Sequence, residues 1–471
     1  MIGLLSLVAV AAPIAQPDTI PQPTVITLEQ AIEIALSENI SVKVADQEIA
    51  RTQYAKRGTY ASLFPQIDGS ASYQRTIKRQ VMYMDFDMGA FKLPGSGDSS
   101  SSTTPAPSSS SSSSGKSDTG GGIEVGRLNT WSAGLSASMP IVNAQLWKSL
   151  AISGQDVELA VEKARESRLN MITQVKTAYY GVLMAKEAFD VYRQVYENAC
   201  ENLKQVEMMR NVDKVSELDY VRAKTNVANA IPNLYDSRNS VALALWQLKA
   251  VMGVDLDLDL DIAGSLQDYT THMFYDIHRH DDPDISANSS MRQLAIQAEE
   301  LANAVKLQKL STVPSLALAF SFNVNAMANN YDFREYNWSP YSFVGLTLSI
   351  PIFAGGKRFH AIKQAQVQAN QLDLQRQEAE RQLRIGIRQQ LMTMETAMNS
   401  LTSARSAVES ARKAYDIAAK AYNVGRSTLT DLNSAQLALT QARLSETQAI
   451  YSFVTAKASL EQLLGVDYEN Q

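Results

Sequence analysis

Phe343-Val344-Gly345-Leu346-Thr347-Leu348-Ser349-Ile350-Pro351 sets Val344, Leu346, Leu348 and Ile350 on one face and Phe343, Gly345, Thr347 and Ser349 on the other, then stops at a proline. A period of two is a strand signal, here with one apolar face. Just beyond lie Gly355 and Gly356, and from about Phe359 to Tyr422 no proline occurs. That run is rich in Ala, Gln, Glu, Lys and Arg, with Leu, Val and Tyr at three- and four-residue spacing. It predicts a helix of roughly 90 to 100 Å, far longer than a globular helix and built for packing along its whole length.

The same pattern occurs earlier in the chain. Ser138-Met139-Pro140-Ile141-Val142 answers Ser349-Ile350-Pro351-Ile352-Phe353, and Ser62-Leu63-Phe64-Pro65-Gln66-Ile67 answers Ser311-Thr312-Val313-Pro314-Ser315-Leu316. Val212-Asp213-Lys214-Val215-Ser216-Glu217-Leu218-Asp219 corresponds to Val424-Gly425-Arg426-Ser427-Thr428-Leu429-Thr430-Asp431, and the endings Met252-Gly253-Val254 and Leu464-Gly465-Val466 match. Four pairs in one order indicate an internal duplication. The chain therefore reads as a mixed fold, a duplicated unit of long α-helical hairpins with two strands per repeat. The first repeat covers 16–253, with strands at about 65–84 and 128–140, a serine-rich external loop at about 85–126 and a tip turn at about 210–214. A linker at 254–285 leads to the second repeat, 286–466, with strands at about 314–325 and 341–351 and a tip turn at about 423–427; 467–471 is a tail. Shorter helices are expected at Leu28 to Tyr60 and Ser290 to Lys309. Pro232 interrupts the first returning helix, so the two returning arms should differ in curvature.

A net charge of -6 and the lack of a basic stripe give no reason to expect nucleic acid as a partner. Residues 1–15 form an apolar run ending in small residues; they resemble a secretory signal with cleavage after Ala12 or Ala15, or else form an apolar tail, since a basic n-region is missing. The single Cys200 forms no internal disulfide. Beyond that start no run of 18 apolar residues occurs, so any membrane span must be made of strands.

The first strand of each half shares its parity: Ile67, Gly69, Ala71 and Tyr73 in one, Leu316, Leu318, Phe320, Phe322 and Val324 in the other. The opposite faces are mostly Ser, Ala, Gly and Asn. A soluble sandwich also alternates in this way. Little bulk for a solid core, and aromatic residues gathered at the strand ends, favour a lipid-facing wall around water. Those aromatics are Tyr60, Phe64, Trp147, Phe353 and Phe359 toward one rim and Tyr83, Phe86, Trp131, Tyr336, Trp338 and Tyr341 toward the other. Four strands leave two open edges, which hydrocarbon does not tolerate, so closure takes several copies. Arg75 and Arg79 fall on the outward parity and fit if the greasy band ends near Tyr73 and they reach headgroups, or if a bulge changes the parity.

Pro65, Pro140, Pro314 and Pro351, with Gly355 and Gly356, mark the junctions between strands and helices, where barrel and helical tube are expected to be coaxial. Asp219 and Asp431 follow the two turns; rings of carboxylates select cations and can hold a constriction, while a carboxylate near a helix start also stabilises the helix by itself. Lys214, Arg222 and Arg426 are candidate gate partners, and Val212, Asp213, Val424 and Gly425 form the turns. The cluster His272, Asp276, His278, His280, Asp281, Asp282 and Asp284 reads as a solvated loop; no metal, cofactor or catalytic constellation is expected.

Leu28-Glu29-Gln30-Ala31-Ile32-Glu33-Ile34-Ala35-Leu36-Ser37-Glu38-Asn39, Ser349-Ile350-Pro351-Ile352-Phe353-Ala354-Gly355-Gly356 and Tyr422-Asn423-Val424-Gly425-Arg426 with Leu429 to Asp431 resemble the TolC-type outer membrane efflux protein family. The resemblance implies a homotrimer whose twelve-stranded barrel in the outer membrane is continued by an α-helical barrel in the periplasm. It also implies docking to a periplasmic adaptor and an inner-membrane pump, passive conduction, and no enzymatic activity. Family members often place two aspartates three residues apart at the constriction; Asp431 matches the first, and Ser434 stands at the second. Export of polypeptides or metal ions is an alternative traffic, and a non-channel coiled-coil stalk is the alternative from another class.

Overall fold

The computed structural model describes residues 24–82, 123–213, 215–270 and 285–466. Residues 1–15, most of the serine-rich loop with Tyr83 and Phe86, Lys214, the His/Asp cluster and 467–471 lie outside them. The chain divides into two compact units, one holding 59–147 and 310–355 and the other the remainder.

The smaller unit is a four-stranded antiparallel sheet. Its strands are β2 (Gln66–Arg75), β5 (Asn129–Val142), β7 (Ser315–Ala328) and β8 (Ser339–Ser349), in that spatial order. Each is at least ten residues long, enough for a tilted membrane strand. Register aligns the apolar parities across the sheet: Ile67, Ala137, Phe320 and Val344 form one row, and Gly69, Leu135, Phe322 and Ser342 the next. On the opposite face lie Gln66, Ser138, Ala319 and Gly345, then Ser70, Gly134, Asn323 and Tyr341. Among the described residues the two apolar rows and their neighbours toward β8 are largely uncovered: Val344 is 71% exposed, Ile67 70% and Leu346 64%. Among the described residues no second layer makes a dry sandwich core on the apolar face, which is left as a large apolar patch.

The first strand differs from the expected 65–84. β2 ends at Arg75, and a separate hairpin pairs β3 (Gln80–Met82) with β4 (Ile123–Val125), so the serine-rich segment expected at 85–126 ends in a strand. Pro140 sits beside a bulge that shifts the β5 register before Val142, where a missing backbone donor does least harm. Pro65 and Pro314 immediately precede β2 and β7, and Pro351 follows β8.

The larger unit contains β1 (Thr24–Ile26), α1 (Leu28–Glu38), α2 (Ile40–Ala61), α3 (Ala144–Arg210), α4 (Glu217–Met252), β6 (Leu260–Ile262), α5 (Ser289–Leu310), α6 (Lys357–Asn423) and α7 (Leu429–Leu464), some helix ends reaching the smaller unit. α3 and α6 are 67 residues each and α4 and α7 are 36 each, so the duplication is kept to the residue in helix length. At about 1.5 Å per residue the long helices extend roughly 100 Å. The halves start them differently: the Asn143 side chain accepts the Leu146 N–H (3.1 Å), whereas Gly356, at φ 81°, caps α6 after Gly355 at φ 55°. α4 continues through Pro232 as one helix.

One helix was expected over Leu28 to Tyr60; the structure has two. Asn39 is extended, its side chain accepts the Ser41 N–H (2.7 Å) and donates to the Val251 carbonyl (2.7 Å). Asn288 repeats the device, accepting from Met291 N–H (3.0 Å) and donating to Leu463 O (2.8 Å). Each asparagine starts a helix and satisfies the last turn of a returning one. Gly253 and Gly465, both left-handed, close those returning helices against the asparagine turns.

Both repeats contribute to one main core. Val175, Tyr179 and Leu183 of α3, Leu248 and Met252 of α4, Ile387 and Met394 of α6, and Ile450 and Phe453 of α7 are all buried in it. The first part of the linker expected at 254–285 joins this core: β6 pairs in parallel with β1, and Leu260, Ile262 and Leu266 are buried. The Tyr179 hydroxyl donates to Ala263 O (2.6 Å) and Ile26 O (3.2 Å), clamping both strands to α3. Burial pushes that phenol up to about 12, so it remains a donor. α7 is tied to α3 by the ion pair of Glu461 with Lys176 (2.6 Å) and by Asn198 donating to Gln436 (3.1 Å).

Candidate functional site: the two helical turns

Each long helix ends in a turn built from the same parts. In the first, Asp213 takes φ 56°; in the second, Gly425 takes φ 75° at the equivalent place. Reversal of the chain there needs the left-handed region, which costs glycine nothing and aspartate little. Val212 and Val424, the residues before them, are both exposed.

The returning helices then start on matched caps. Ser216 Oγ accepts the Asp219 N–H (3.1 Å) and its hydroxyl donates to Asp219 Oδ2 (2.8 Å). Thr428 Oγ1 accepts the Asp431 N–H (3.2 Å), while Asp431 Oδ2 accepts from the Thr428 hydroxyl (2.7 Å), the Thr428 N–H (3.1 Å) and the Ser427 hydroxyl (3.1 Å). The Thr428 hydroxyl, then its backbone N–H, then Ser427 hold the Asp431 carboxyl below the usual carboxylate range. Both aspartates are thus capping residues at the third helical position.

Arg222 lies 3.7 Å from Asp219 one turn along the same helix, so this pair stays within α4 and does not link the hairpins. Among the described residues Arg426 makes no ion pair with Asp431; its backbone N–H closes the end of α6 on Ala421 O (2.8 Å). Arg210 of α3 instead reaches Glu217 (2.9 Å) and lies over the Tyr220 ring (4.3 Å), joining the two sides of the first turn.

Between the hairpins Val206, Ala223, Tyr422, Leu429 and Leu432 form a separate small core. An open groove of about 820 Å3 lies against it, lined by Met208, Val212, Asp219, Arg222, Val424 and Gly425 among others. The structure therefore brings Asp219, Arg222 and both turns to one groove; Asp431 and Arg426 are outside its lining. Tyr422 was not anticipated as more than part of a motif. Among the described residues its buried hydroxyl has no hydrogen-bond partner, and burial first, then the Asp219 charge, push the phenol upward. The capping pattern Ser-x-x-Asp and Thr-x-x-Asp was the available signal for the rest.

Duplicated long hairpins, a sheet whose strands have membrane-spanning length and matched turns define a channel-type protein of strands and helices. Comparison with known proteins agrees: the sequence model of the family "Outer membrane efflux protein" matches residues 31–254 and 285–466. The chain belongs to this outer membrane efflux protein family. It is 22% identical over 250 residues to outer membrane protein TolC of Escherichia coli (strain K12), a match spanning half of each chain. Its fold is similar to that of the Campylobacter jejuni CmeC outer membrane channel, with TM-score 0.67, 16% identity and coverage of 97% of this chain and 94% of that one. A membrane protein from Pseudomonas aeruginosa is similar with TM-score 0.68, 16% identity and 98% of each chain covered.

Proposed function

We propose that this protein is the outer membrane exit channel of a tripartite efflux system, conducting passively what an inner-membrane pump and a periplasmic adaptor deliver. The observation that carries this reading is the sheet: one apolar face is bare, and the order β2-β5-β7-β8 ends on two outer strands. Directions alternate across it, so β8 of one copy meets β2 of the next in antiparallel sense. Three copies supply twelve strands, and closure satisfies the edges that hydrocarbon would leave unpaired. The helical hairpins would then form the periplasmic barrel.

At the turns, Val212, Asp213, Val424 and Gly425 form the adaptor-docking tip, and Asp219 and Asp431 ring the passage with Arg222, Arg426 and Lys214 as partners. Capping and gating are compatible, because a cap carboxylate keeps its charge and its place. Work is supplied by the pump, and no catalytic step is assigned to this chain.

Conductance of the purified protein in planar bilayers tests the reading. The wild type should conduct weakly with cation preference, and Asp431→Asn should lower that preference and raise closed-state leakage. Identical selectivity and leakage in the variant would remove Asp431 from the gate. Folded protein that stays soluble without detergent and passes no ions would sink the channel itself and leave the stalk.

A further inference from the structure

The charged residues of β2, β5, β7 and β8 are Asp68 and Arg75. Their parities differ. Arg75 shares the outward parity with Ile67 and Tyr73, and its Nη1 donates to the Tyr331 hydroxyl (2.7 Å). Asp68 instead falls in a row of the opposite face, with Ser136, Ser321 and Phe343. The rows on either side of it, Gln66-Ser138-Ala319-Gly345 and Ser70-Gly134-Asn323-Tyr341, are neutral. Asp68 is exposed, and among the described residues its carboxylate has no ion-pair partner. It is the one charge that the strands place on the inward face.

Other charges of this unit stand at the far end of the sheet. Among the described residues they fall within 76–79, 123–128 and 329–338, the segments beyond Arg75, Asn129 and Ala328. The last of these is folded over the outward rows: Tyr336 is buried there, the Phe333 and Trp131 rings are 5.1 Å apart, and Asn129 Nδ2 donates to Asn330 O (3.0 Å). Arg127 lines a cavity of about 490 Å3 with Asn325, Met327 and Ser339 of the inward parity. Ser136, in the row of Asp68, lies seven positions from Asn129, roughly 24 Å along the strand. The Debye length is about 10 Å at 0.1 M salt. Asp68 and Arg127 therefore act at separate levels. A charge that faces water while its strand turns an apolar face to lipid keeps its field in the water, because the low-dielectric wall focuses it there.

We propose that Asp68 sets a cation preference inside the strand barrel, as a selectivity element separate from the two helical turns. The proposal rests on the channel reading, since closure of three sheets repeats Asp68 at one level as a ring of carboxylates around the passage. Such a ring speeds cationic solutes and slows anionic ones.

The test is the reversal potential of the full-length protein in planar bilayers under a KCl gradient. Asp68→Asn should lower the ratio of potassium to chloride permeability about threefold, and should do so in the Asp431→Asn background as well. Asp68→Cys in a Cys200→Ser background lets the charge be put back chemically. The negative reagent sulfonatoethyl methanethiosulfonate should restore the preference, and the positive trimethylammonioethyl reagent should invert it. An unchanged ratio in Asp68→Asn, a shift that disappears in the Asp431→Asn background, or reagents of opposite charge acting alike, overturns the proposal and leaves the channel standing. A larger shift in Arg127→Gln than in Asp68→Asn assigns the preference to the far end of the sheet and overturns it too. If the wild type opens no channel at all, the membrane reading fails and the proposal falls with it.

Discussion

At the residue scale the turns and the glycine closures are the most exposed to test. Thr428→Ala removes the hydroxyl that both accepts from and donates to Asp431, and should cost about 1 kcal/mol at the start of α7. Faster amide exchange confined to residues 429–432 would register it, and no change there would show that the cap does not hold the helix end. The carboxyl of Asp431 is shifted down, so its contribution is complete above the ordinary value of 3.8 and is lost only as the pH falls through its lowered native value. From about pH 8 to about pH 5 the exchange at this turn should therefore be insensitive to protonation of Asp431, and wild type and Asp431→Asn should show parallel pH profiles. A step in the wild type alone within that range would contradict the assignment. A Cβ on Gly465 would meet Ala287 O at 2.3 Å, and one on Gly253 would meet Asn39 Cα at 3.0 Å. Both glycines also have positive φ. Gly465→Ala should lose about 1–3 kcal/mol, more than Gly253→Ala, as read from the two thermal midpoints.

At the element scale the joints matter more than the rods. Long helices were legible because 60 residues without proline and with helical spacing have no other regular solution. The break at Asn39 was not, since Ile34 to Val44 keeps a plausible helical pattern and the residue that ends it does so by reaching Val251, 212 positions away. β1 and β6 were invisible for a similar reason: three-residue strands carry no period, and they exist because Tyr179 and the core hold them. Tyr179→Phe should leave the Ala263 and Ile26 carbonyls without this donor and cost about 1–3 kcal/mol. Limited proteolysis should then cut within 254–270 sooner than in the wild type, while equal rates would mean that the pairing of β1 and β6 stands by itself.

At the scale of the whole molecule the sheet makes the sharpest demand. Its bare apolar rows and outer strands β2 and β8 require neighbours. In a Cys200→Ser background, cysteine at Ala71 of β2 combined in turn with cysteines along 342–348 of β8 should give, on oxidation, species of one, two and three chains and none larger. An open-ended ladder, or links only within one chain, would reject a closed trimer.

Strand parity, the duplication, the long helices and the turns were all settled by local pattern, because a period of two, a period near 3.6 and a turn motif are each decided within a few residues. The tertiary structure decided what depends on distant partners. It split α1 from α2, put the first part of the linker into the core, placed Asp219 and Arg222 beside a groove, and folded the segment after β7 over the aromatic end of the sheet. Apart from the Asp219–Arg222 pair, which is local to its helix, those arrangements depend on side chains meeting backbone 84 to 212 positions away, and no period along the chain records such a meeting.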